Sequence, residues 1–193
     1  MKRLAFIAVV LAFAGVAFAA GTVPKGWILA GTSPQDYSAT LDHAQIHTGA
    51  SSALLASQTP TPSGFGTLMQ TAQADSYRGK RIRFTAYVRS EGVEGWTGLW
   101  FRVDGAGSPP AMLAFDNMHD RAIKGNTEWQ AYSVVLDVAQ EASAIAYGVL
   151  LAGPGKVWID TARIEVVDKS VPTTGGKPAP STPSEPTNLD FEL

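Results

Sequence analysis

From residue 27 to residue 167, apolar and polar residues alternate in short runs bounded by Gly, Pro, Asn, Asp and Ser clusters. A period of two sends successive side chains to opposite faces of a strand, so each run predicts a strand with one buried face. The clearest is 81–89, with Ile82, Phe84, Ala86 and Val88 on one side and Arg81, Arg83, Thr85, Tyr87 and Arg89 on the other. Residues 98–103 repeat the type and lead into a predicted turn at Asp104-Gly105. Residues 129–138 alternate less cleanly but are rich in Val and Tyr, and the almost continuous apolar run 145–151 predicts a strand buried on both faces. Two further strands, 157–160 and 162–166, follow the Gly153-Pro154-Gly155 turn. Residues 139–144 favour helix, but six residues are too few to stand alone and predict a loop with one helical turn. Many short strands with no βαβ alternation predict an all-β fold, an antiparallel two-sheet jelly-roll β-sandwich.

The ends break this pattern. Met1-Lys2-Arg3 precedes an uncharged apolar run, residues 4–18, that closes with Ala17-Phe18-Ala19. A positive start, a short apolar stretch and a small-x-small end are the features of a secretory signal peptide, expected here over 1–19. The run is shorter than the roughly 20 apolar residues a membrane span needs, so no stable membrane insertion is expected. The sandwich is then expected over 20–167. Residues 168–187 are built from Pro, Ser, Thr, Gly and Lys and predict a flexible linker or tail. Residues 188–193 return to strand-like alternation, with Leu189, Phe191 and Leu193 on one side.

Composition narrows the function classes. The chain has 193 residues, no cysteine and a formal charge of −2. That charge gives no electrostatic case for nucleic-acid binding. The absence of cysteine excludes disulfides, thiolate metal sites and a thiol nucleophile. No Gly-x-Ser-x-Gly elbow, His-Glu-x-x-His or phosphate-binding loop is present, and no acid–base pair can be assigned, so no enzyme is expected. His43 and His47, four apart, would share one face of a strand, but no third metal ligand accompanies them. His119 falls in a loop-like stretch.

Several strings carry a family resemblance. Residues 77–89 (YRGKRIRFTAYVR), 96–104 (WTGLWFRVD) and 148–160, which closes on Lys156-Val157-Trp158-Ile159-Asp160, resemble secreted bacterial jelly-roll modules of the galactose-binding-like, carbohydrate-binding-module type. Residues 114–125 (AFDNMHDRAIKG) resemble an uncharacterised subgroup of them. The resemblance spans most of 26–166 and implies the β-sandwich; its functional implication is weaker, because the architecture hosts many roles. Such modules open with an Asn-x-x-Phe-Glu strand before a Gly-Trp turn. Here Gly26-Trp27 is present, while the strand pattern stands at Asn188-Leu189-Asp190-Phe191-Glu192. Two placements of that hexamer are open: it docks on its own sandwich, or it adds to another copy's sheet edge as strand-mediated self-association. The resemblance also implies a structural calcium where an acidic residue of the first strand meets an aspartate of the last, here Glu192 (or Asp190) with Asp160. No other cofactor is expected.

The binding candidates follow from parity and clustering. Trp100 shares a face with Gly98 and Arg102, opposite Leu99, Phe101 and Val103, and is the candidate for stacking on a sugar ring. Arg83, Tyr87 and Arg89, on what reads as the neighbouring strand, are expected to extend that face. Asp116, Asn117, Asp120 and Arg121 form the densest polar cluster; they suit sugar hydroxyls, calcium, or a turn that caps its own backbone. Trp27, Trp129 and Trp158 read as core, and Trp96 as an aromatic at the rim of the site. The expectation is an exported protein, periplasmic or extracellular, that binds a glycan or other small polar ligand without catalysis. The alternative is a structural or interaction module acting through its sheet edge and C-terminal strand.

Overall fold

In the computed structural model, residues 23–175 are described. The predicted signal peptide, most of the linker and the 188–193 hexamer lie outside them. The described residues form nine strands: β1 (Ile28–Gly31), β2 (Tyr37–Asp42), β3 (Ser52–Ser57), β4 (Phe65–Gln73), β5 (Arg81–Gly107), β6 (Pro110–Asp116), β7 (Ile123–Asp137), β8 (Ala144–Ala152) and β9 (Lys156–Val167). The only helical pieces among the described residues are two three-residue 3-10 turns, at Pro34–Asp36 and His119–Arg121. Neither is long or apolar enough to cross a membrane.

β5 organises the molecule. Its 27 residues run through both layers of an almost closed antiparallel sheet. Residues 81–91 pair with β9 and β7, whereas 96–104 pair with β8 and 101–107 with β6. One layer is therefore β2-β3-β9-β5-β7 and the other β1-β4-β8-β5-β6. The two predicted strands 81–89 and 98–103 are halves of this single strand. The Gly-containing stretch between them carries register shifts from Ser90 to Val93 and Thr97, with Gly92 at φ +61°, and it bends the strand without ending it. The predicted turn at Asp104-Gly105 is likewise an irregularity, and the chain reverses at 108–109. Residues 157–160 and 162–166 are also one strand, irregular at Thr161, whose φ is +51°. The 139–144 loop holds a single turn closed by the Ala142 N–H on the Ala139 carbonyl.

The alternation over 81–89 emerges as drawn: Ile82, Phe84, Ala86 and Val88 are fully buried between the layers. They meet Leu99, Phe101 and Val103 from the other half of β5, and Ile145, Val149 and Leu151 from β8. Phe84 sits 5.3 Å from Tyr147 and 6.3 Å from Phe101, ring centre to ring centre. β8 is buried on both faces, as its apolar run predicts.

Loops are tied down by carboxylates. Asp42 accepts hydrogen bonds from Trp158 Nε1 (2.7 Å) and from the backbone N–H groups of Ala44 and Gln45. Burial alone would raise its pKa, but these donors outweigh burial and hold it below the ordinary carboxylate value. Arg81 does the same for Asp137 through a two-pronged hydrogen bond. A carboxylate with a depressed folded pKa adds stability that is complete above its unfolded value and lost as pH falls through the folded one. The melting temperature is thus expected to hold from pH 7 to 5 and to fall below about pH 4. Asp42→Asn should flatten that fall; an identical acid profile for the variant would contradict this role.

Candidate functional site

The outer face of the β8 layer is built for a ligand. Register sets Trp100 beside Gly148 and Gly148 beside Met69, with Thr67 beside Leu150 and Leu150 beside Gly98. Trp100 donates its indole N–H to the Thr67 hydroxyl (2.7 Å), two strands away across β8. Reaching Thr67 requires the indole to cross β8, where Gly148 and its neighbour Ala146 offer no bulk. A Cβ at Gly148 would also strike the Leu68 carbonyl oxygen. Thr67 passes the chain of bonds on to the Val149 carbonyl, so the buried indole nitrogen is satisfied.

Phe65, Met69, Trp96, Phe115 and Ala152 pack round this Trp100–Ala146–Leu150 cluster. Together with Ala30, Gly31, Thr32 and Gly64 they enclose a pocket of about 680 Å³, with Arg102 and Asn117 as its longer polar side chains. Trp96 lines the pocket and stands edge-on to His119, centroids 5.2 Å apart. Trp100 is 7% exposed: it is the floor of the pocket and not an open stacking platform. The half-buried Trp96, Phe65, Met69 and Phe115 supply the accessible walls. Of these, sequence reasoning missed Phe65, Met69 and Phe115. The alternation Phe65-Thr67-Met69 against Gly66-Leu68 carries the signal for the first two.

The polar cluster at 116–121 divides in the structure. Asp116 accepts from Arg121 and from the Met118 N–H (2.8 Å), and Asp120 accepts from Arg121 (2.8 Å). Burial lowers the Arg121 pKa, but the Asp116 hydrogen bond and charge outweigh it and leave it raised. Asp116, Asp120 and Arg121 thus staple their own loop, and only Asn117 of the four lines the pocket. Arg102 is oriented by Asp104 at 2.9 Å.

Arg83, Tyr87 and Arg89 do not extend this face. They occupy the outer side of the other layer, because β5 changes layers at its central bend. Arg83 pairs with Glu165 (2.7 Å), and Tyr87 is covered by the His47 ring stacked at 3.6 Å. Arg89 lies over Trp158 at 5.1 Å. His43 and His47 belong to the 43–51 loop and not to a strand. Trp158 is buried beneath Arg89 with its indole N–H on Asp42, and His47 of the loop lies 5.8 Å from Trp129. Both tryptophans therefore lie outside the inter-layer core where the sequence reading puts them, and Trp27 is only partly buried against it. His47 Nδ1 and Arg89 Nη1 are buried with no hydrogen-bond partner among the described residues.

Asp160 fastens the same loop. It accepts from the N–H groups of His47 (2.9 Å), Thr48 (3.0 Å) and Thr161 (2.6 Å), and from the Thr161 hydroxyl. Four donors fill the lone-pair positions of a carboxylate, so a calcium at Asp160 would have to displace them. Glu192 and Asp190 lie outside the described residues. Among the described residues, no group of three or more His, Asp or Glu side chains is placed to hold a metal.

No family model matches the chain. In sequence it is 41% identical over 169 residues to the uncharacterized HTH-type transcriptional regulator YbfP of Bacillus subtilis, a match covering 87% of this chain and 57% of that protein. The chain thus spans little more than half the length of this relative. In structure it resembles the CBM22-1 xylan-binding domain of Paenibacillus barcinonensis Xyn10C, with a TM-score of 0.53 and 14% identity over 77% of this chain and 90% of that one. It also resembles the enzymatically active domain of bacteriophage CBA120 tailspike protein 4 (TM-score 0.54, 13% identity, 74% of this chain and 20% of that one). A cyclase from Fischerella is similar too (TM-score 0.51, 14% identity, 75% and 86%). At these identities the likeness is one of fold, a β-sandwich of the kind found in carbohydrate-binding modules. The described residues contain no α-helix, so the helix-turn-helix named for the relative has no counterpart among them.

Proposed function

We propose that the chain is an exported, non-catalytic module that binds a carbohydrate in the Trp96–Trp100 pocket. The observation that carries this reading is the preformed pocket itself. Its volume of about 680 Å³ lies within the roughly 300–1,000 Å³ of small-ligand sites, which are mainly apolar with a few placed polar groups. Trp96 and Phe115 offer ring surface to the apolar face of a pyranose, while Asn117, Arg102 and Thr32 offer donors and acceptors to its hydroxyls. Ligand recognition is also a role that similar domains could serve in an exported chain and in an HTH-type regulator, since function resides in the site and not in the fold. The apolar run and small-x-small end of residues 4–19 support the exported location.

Calorimetry against soluble neutral and acidic oligosaccharides tests the proposal. At least one should bind, with a change in tryptophan fluorescence, with no cleavage product, and equally in the presence of a calcium chelator. Silence across the panel would overturn the carbohydrate assignment.

A further inference from the structure

Among the described residues, a place for one more strand is open in the sandwich. β9 pairs with β3 only from Lys156 to Ile159, while its pairing with β5 continues to Val167. From 162 to 167 the other edge of β9 has no strand partner among the described residues. The side chains there show the consequence. Ile164 lies opposite Phe84 and Val166 opposite Ile82, two residues fully buried in the core, so both point into the inter-layer space. Yet Val166 is 53% exposed and Ile164 is only partly covered. An inward-facing valine half open to water marks a missing neighbour. At Ile164 an opening of about 420 Å³, lined by Trp27, Tyr77, Phe84 and Tyr147 together with the polar Gln70 and Arg163, leads down to the core. An unpaired edge next to apolar surface is a feature that folded proteins ordinarily cover.

We infer that residues 188–193 of the same chain fill this place, adding as a strand along the 162–167 edge. The lengths agree at six residues each. The pattern agrees as well: Leu189, Phe191 and Leu193 would turn into the opening while Asn188, Asp190 and Glu192 face outward. Charge is complementary, because the outward side of β9 carries Arg163, which makes no ion pair among the described residues, whereas its neighbour Glu165 is taken by Arg83. Reach is sufficient. Thr174 is hydrogen-bonded to Val135 of β7 and Gly175 lies against Asp116 of β6, and a strand beyond β9 would stand three spacings, about 15 Å, from β7. The twelve residues 176–187 can extend to about 40 Å. A strand tethered in the same chain competes at high effective concentration with any strand from outside.

Amide hydrogen exchange and thermal melting of the full chain, of a chain ending at Thr187 and of Phe191→Asp test the inference. Truncation and Phe191→Asp should each speed exchange across 162–167 by about tenfold or more and lower the melting temperature by several degrees. The full chain should remain monomeric throughout. Unchanged exchange and melting in both variants would overturn it. So would protection that disappears on dilution together with a dimer, which would show that the strand comes from a second copy.

Discussion

Trp96→Ala should weaken glycan binding by about thirtyfold or more, the loss that accompanies removal of a buried aromatic anchor worth about 2 kcal/mol. Trp96 is half-buried at the rim, in contact with His119 and with the apolar cluster over β8. Its removal deletes stacking surface while leaving the inter-layer core intact, so the melting temperature should change by only a few degrees. Trp100→Ala is the contrasting case. That indole is 7% exposed and holds Thr67 across β8, so the variant should lose stability together with binding. A Trp96→Ala protein that bound as tightly as the parent would move the ligand away from this face.

Phe84→Ala should destabilise the fold by about 3–5 kcal/mol, the cost of emptying a large aromatic from a close-packed core. In a domain of this size that corresponds to a fall in melting temperature on the order of 10 °C. Phe84 is fully buried between Phe101 and Tyr147, and so links residues from both layers. Its nearness to the opening beside β9 bears on the magnitude, since a wall that can relax inward lowers the cavity term. Thermal melting measures it directly, and a loss below about 1 kcal/mol would mean that the two layers do not meet at this residue.

What was legible in the sequence was local. Period-two alternation marked which residues of 81–89 enter the core, and the parity of Trp100 and Arg102 placed them correctly on an outer face. What was not legible depended on partners distant in the chain. A bend containing Gly92 and Gly95 reads as a turn from sequence, yet here it carries one strand from one layer into the other. Arg83 and Tyr87 therefore separate from Trp100 and Arg102 although all four obey the outward parity of β5. Trp158 has the composition of a core residue and is indeed buried, but on the outer side of β9, beneath Arg89 and bonded to Asp42. Only the fold brings Arg89 and Asp42 to Trp158. The polar cluster at 116–121 shows the same limit from the other side. Its spacing favours a self-capped turn over a ligand site, and in the structure Asp116 pairs with Arg121 while Asn117 lines the pocket.

The contrast between the two outer faces bears on function. On the β9 layer, Tyr87 is capped by His47 and Arg83 is occupied by Glu165, so the groups suited to a sugar are already engaged. On the β8 layer, the small residues Ala146, Gly148 and Ala152 lower the floor and the aromatics form walls. A ligand entering there meets a surface that needs little rearrangement, which reduces the ordering cost of binding.

The most direct measurement is a chemical-shift map of the isotopically labelled protein titrated with the tightest-binding oligosaccharide. Binding in the proposed pocket should shift the indole N–H signals of Trp96 and Trp100 and the amides of Phe65, Met69, Phe115 and Asn117, and leave Tyr87, Arg89 and Trp158 in place. Shifts confined to Tyr87, Arg89 and the 43–51 loop, with the Trp96 and Trp100 signals unmoved, would contradict the assignment of the β8 face as the binding surface.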